Sequence, residues 1–81
     1  MRTMQNGNTK LNVIEHIMLK NFWEYYIIDD KENSQDVKLA YVLGFENEIG
    51  CVSMEEIQPY IMSKTDNLNQ VLPAPGFAWV S

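Results

Sequence analysis

Apolar residues recur along the chain in two rhythms. Val13, Ile14, Ile17 and Met18 fall at helical spacing, and Leu11 lies near the same face. Asn12, followed three residues later by Glu15, supplies an N-cap pair. This spacing predicts a helix over about 11–20. The preceding MRTMQNGNT is polar and contains Asn-Gly, which predicts a loose, turn-like segment over 1–9. From Phe22 the rhythm becomes twofold. FWEYYIID, residues 22–29, is rich in the aromatic and β-branched residues that suit a strand. Alternation puts Trp23, Tyr25 and Ile27 on one face and Phe22, Glu24, Tyr26 and Ile28 on the other. Both faces are largely apolar, so this strand is expected to be central or covered on both sides. After the polar DKENSQD, VKLAYVLGF (37–45) reads as a second strand, with Val37, Leu39, Tyr41, Leu43 and Phe45 on one side. The short polar connection predicts an antiparallel hairpin.

ENEIG then reads as a turn in which Gly50 supplies backbone freedom, followed by a short strand at Cys51 and Val52. Ser53 and Glu56 match the capping box, and Glu55 and Glu56 in the first turn suit the helix dipole. Met54, Ile57 and Ile61 share a helical face, and Pro59 must end or kink that helix. SKTDNLNQ is a polar loop. In the closing LPAPGFAWV, Phe77, Trp79 and Val80 are too apolar to hang free and are expected to dock as an edge strand or extended tail. These elements predict one α+β domain over 1–81: a small antiparallel sheet with an N-terminal helix and a short capped helix. Met18, heading MLKNFWEYY, offers an alternative start.

Charge sharpens the picture. The net charge of −5 is unevenly placed: residues 22–62 hold nine acids against Lys31 and Lys38, whereas residues 1–21 hold Arg2, Lys10 and Lys20 against Glu15. The middle of the chain is an acidic module. Direct DNA or RNA binding, which needs clustered Lys and Arg, is not expected. Cys51 is the only cysteine, so no intrachain disulfide forms. No stretch approaches a membrane span, and residues 1–20 lack the apolar core and cleavage site of a signal peptide. An intracellular, cytoplasmic protein is the expectation.

Little in the sequence points to catalysis. His16 and Cys51 are the one Cys–His combination, and chance composition accounts for them. With one residue of each type there is no zinc site, and no metal or cofactor is expected. Asp29, Asp30, Glu32 and Asp36 lack the glycine and spacing of a calcium loop, and no nucleotide-binding glycine motif occurs. Glu46, Glu48, Glu55 and Glu56 would act as general acid and base only inside a pocket, and two of them already have helix-start roles.

One run carries a resemblance. WEYYIID followed by AYVLGFENEIGCVSMEEI, with Trp23, Gly44, Phe45, Glu46, Glu48, Gly50, Ser53, Glu56 and Ile57 as the matching positions, resembles a family of small uncharacterised proteins of plasmids, phages and bacterial genomes. The resemblance implies a mobile-element setting and supplies no activity. Together with the acidic surplus, it leads to the expectation of a non-catalytic module binding a protein partner with a basic surface. In its narrow form this is an inhibitor occluding a host nucleic-acid-binding defence protein of the restriction or CRISPR type. The expected partner-binding residues are Glu46, Glu48, Glu55 and Glu56, with Asp29, Asp30 and Glu32 as a second patch. The alternatives are a structural or accessory subunit, including a homodimer, and an enzyme built on the glutamates.

Overall fold

The four residues Tyr25–Ile28 are all buried, and their side chains alternate between two separate cores. That places their strand at the centre of a sheet covered on both faces. The computed structural model describes residues 1–81. In chain order the strands are β1 (Arg2–Asn6), β2 (Thr9–Leu19), β3 (Glu24–Ile28), β4 (Val37–Leu43) and β5 (Asn47–Ser53). Helix α1 (Met54–Ile57) and a 3-10 turn (Gln58–Tyr60) lead into β6 (Ile61–Thr65). A second 3-10 turn (Leu68–Gln70) precedes β7 (Ala78–Trp79). The sheet order is β5-β4-β3-β2-β1-β7, with β6 also paired to β2 and every pairing antiparallel. The long β2 meets β3 on one side. On the other it meets β1 along its first half and β6 along its second.

The first core contains Ile17, Leu19, Tyr25, Ile27 and Ala40 and is closed by Met54 and Ile57 of α1. The second contains Met4, Leu11, Val13, Tyr26 and Ile28 and is covered by the C-terminal segment through Leu68 and Ala74. Phe77 packs edge-on against Tyr41 with ring centroids 5.2 Å apart, and Trp79 donates its Nε1–H to the Val71 carbonyl at 2.8 Å. The apolar tail therefore docks as expected, with β7 paired to β1.

The α+β expectation with an N-terminal helix is overturned: the chain is mostly antiparallel sheet, and residues 11–20, read as helix, lie mainly in β2. The physical reason is a β-bulge. Val13 pairs with Ile28 and Glu15 with Ile27, so Ile14 and Glu15 together face one residue of β3. Before the bulge the odd residues Leu11 and Val13 enter the second core. After it the odd residues Ile17 and Leu19 enter the first, and Ile14 packs there too. Two strand registers joined by an extra residue imitate the i, i+3, i+4 spacing of a helix. The capped helix is present but is one turn long. Ser53 Oγ accepts the Glu56 N–H at 3.3 Å, and the chain tightens into the 3-10 turn at Pro59.

Two boundaries also move. Residues 1–9, read as loose, form β1 and its turn into β2, in which Gly7 has φ +58°. ENEIG is not a turn: β5 begins at Asn47, and Gly50 sits mid-strand opposite Ala40. A chain starting at Met18 would lack β1 and most of β2, and with them Met4, Leu11, Val13 and Ile17 of the two cores. No helix is long and apolar enough to cross a membrane.

Candidate functional site: an aromatic face ringed by carboxylates

The β3–β4 register pairs Glu24 with Leu43, which sets Trp23 opposite Gly44 just beyond the ladder. The indole lies over that glycine: a Cβ at position 44 would come within 2.9 Å of Trp23 Cζ3 and 3.0 Å of Cε3. The absent side chain is what lets the ring lie down. Phe45, 95% exposed, meets the ring edge-on at 5.1 Å and 83°. Glu46 and Glu48 border the depression formed by Trp23, Val42 and Phe45.

On its other side Trp23 joins a groove of about 540 Å³ with Leu19, Tyr25, Ile57 and Tyr60, bounded by Lys20, Asn21 and Glu56. The turn at 20–22 fixes this groove. The Lys20 N–H donates to the Tyr60 carbonyl at 2.8 Å, the Leu19 N–H to the Trp23 carbonyl at 2.9 Å, and the Trp23 N–H to Asn21 Oδ1 at 3.0 Å. Phe22 at the corner has φ +69° and is 70% exposed. A left-handed aromatic residue is sterically costly, and such outliers concentrate at functional surfaces. Trp23, Phe45 and Tyr60, with Phe22 beside them at the corner, thus form an apolar face around a half-buried indole. Carboxylates on two sides make it electronegative, and Lys20 is the cation at its margin.

The four glutamates taken as one patch are divided. Glu46, Glu48 and Glu56 surround the Trp23 surface, but Glu55 lines a separate polar cleft with Asp36, Lys38 and Lys64. In the second predicted patch, Asp30 and Glu32 border a shallow depression near Val37, Leu39 and Cys51. This loop has architectural work of its own. Asp30 Oδ2 accepts the Glu32 N–H at 3.1 Å, the Asp29 N–H donates to the Asn12 carbonyl at 2.8 Å, and Asn33 bridges Ile28 and Leu39. Tyr60, Leu19 and Phe22 were not singled out from the sequence. The available signal was Gly44, a glycine at the end of β4 that faces Trp23 across the β3–β4 hairpin.

His16 and Cys51 are not brought together: Cys51 is exposed on β5, with β4 and β3 between it and the strand that carries His16. His16 Nε2 instead lies 2.9 Å from Glu24 Oε1, and its ring packs 4.9 Å from that of Tyr26. Burial pushes the Tyr26 phenol well above its ordinary range, and the Glu24 charge adds to this. The Tyr26 hydroxyl donates to the Leu72 carbonyl at 2.9 Å and so ties the C-terminal segment to β3. Glu15 Oε2 lies 3.9 Å from Lys64, while its Oε1 is buried without a partner. No three His, Cys, Asp or Glu side chains gather as metal ligands would. No family model matches this chain, and no curated protein or solved structure does either.

Proposed function

We propose that this protein is a non-catalytic binding module whose Trp23 face docks a basic surface of a protein partner. The observation that carries the reading is the convergence of Glu46, Glu48 and Glu56 on exposed aromatic area centred on one indole. Aromatic side chains supply most of the contact energy in such interfaces, and flanking charges set encounter rate and partner choice. An indole beside carboxylates also suits an arginine or lysine, which gains a cation–π contact and a charge partner together. The narrow form of the reading is occlusion of a host nucleic-acid-binding protein in the cytoplasm. A basic surface made for phosphates accepts a rigid carboxylate array as a substitute. The test is competition. A purified host nucleic-acid-binding protein captured by this chain should lose its DNA or RNA as the chain is added, and Trp23→Ala should abolish the effect. Capture of partners without basic surfaces, indifferent to Trp23→Ala, would reject the reading.

A further inference from the structure

We infer that the outer edge of β5 is a strand-addition site for an extended cationic segment of a protein partner. The inference rests on the proposed basic partner and specifies how it is held. Other open edges of the sheet are blunted: β7 spans two residues, and β6 carries Lys64 and a register shift beside Met62. β5 spans seven residues, pairs with β4 without a shift, and contains no proline, lysine or bulge. Long edges are ordinarily protected by such devices because their free N–H and C=O groups template further pairing. The Met54 N–H donates to the Asp36 carbonyl at 2.8 Å. Antiparallel alternation from that bond turns the N–H and C=O groups of Ile49 and Cys51 outward, away from β4.

Gly50 adds a second, independent observation. Its φ is not in the left-handed region, and a Cβ built there would meet nothing within 4 Å. The fold itself does not need glycine at this position. A glycine inside a strand marks a bulge, a tight bend or a close approach by a ligand or another backbone, and the unshifted β4–β5 register excludes the bulge. The two faces of the edge differ. Glu48 and Gly50 share one face, while Ile49, half exposed, and Cys51 share the other. The segment that fits therefore alternates basic residues over Glu48 and Gly50 with apolar residues against Ile49 and Cys51.

The test is an amide NMR titration of the full chain with a blocked heptapeptide of alternating lysine and valine. Controls are the same peptide N-methylated at alternate residues and an alternating glutamate–valine peptide. The amides of 47–53 should shift with the lysine peptide. N-methylation should weaken binding by at least about tenfold, as should Cys51→Pro, which removes an outward donor while leaving the β4 ladder in place. The folded spectrum of Cys51→Pro serves as its control. Equal binding of the N-methylated peptide, with shifts confined to Trp23, Phe45 and Tyr60, would overturn the strand-addition site and leave the aromatic docking reading standing. No binding at about 1 mM peptide would overturn it as well. Shifts at 47–53 that depend on protein concentration alone would show that a second copy takes the edge, which also overturns it.

Discussion

The backbone of Gly44 is the floor on which the Trp23 indole rests, with room for no Cβ between them. The ring's orientation, and hence the aromatic face, depends on a residue that contributes no surface of its own. Gly44→Ala should tilt the indole away from Phe45, changing tryptophan fluorescence and near-UV circular dichroism. The stability cost should be about 1 kcal/mol, because a half-buried ring can move where a core ring cannot. An unchanged spectrum would mean that the glycine is not what holds the ring.

The bulge in β2 gives a sharper expectation. Deleting Ile14 removes the extra residue, leaving Val13 opposite Ile28 and Glu15 opposite Ile27 in an unbroken ladder. The variant should fold, at a cost of about 2 kcal/mol for the lost isoleucine. Deleting His16 instead also closes the ladder, but it sets Glu15 opposite Tyr26 in the place of His16, beside the Glu24 carboxylate, and should cost at least about 1 kcal/mol more. Denaturant unfolding of the two deletions separates strand from helix, since in a helix either deletion would rotate the apolar stripe by a similar angle.

Tyr26 sets an alkaline limit. Its folded-state phenol is held protonated by burial and by Glu24, and burial also raises Tyr25. The folded state therefore keeps protons that the unfolded chain releases near pH 10. This stabilisation is fully present below about pH 10 and is lost as pH rises from there towards the folded value, by up to about 1.4 kcal/mol per pH unit for Tyr26. Urea unfolding across pH 9 to about 11.5 should show the decline. Tyr26→Phe should flatten it while costing about 1 kcal/mol at neutral pH for the lost bond to Leu72.

The sequence was most legible where local pattern and tertiary context agree. Alternation in FWEYYIID places Tyr25 and Ile27 opposite Tyr26 and Ile28, as the two cores require, and the Ser53–Glu56 cap stands where its spacing puts it. The misreading of 11–20 has a definite cause, since a bulge changes the parity of a strand and no residue type in TKLNVIEHIML announces it. The reading of the glutamates as one patch failed for a related reason. β5 runs back along β4 and carries Glu55 toward Asp36 and Lys64, away from Glu46. The surface that unites Trp23, Phe45 and Tyr60 joins residues from three separate parts of the chain, which no local spacing encodes.

The most direct test of the central claim compares two sets of charge reversals in binding to a captured basic partner. Glu46→Lys with Glu48→Lys changes the rim of the Trp23 face, and Asp29→Lys, Asp30→Lys and Glu32→Lys changes the β3–β4 loop. The rim reversal is expected to keep stability within about 0.5 kcal/mol of the parent. It should weaken binding at least about tenfold and flatten its dependence on salt. The loop reversal should leave affinity within about threefold of the parent. Loss of binding on the loop reversal, with the rim reversal binding as the parent does, would contradict the account.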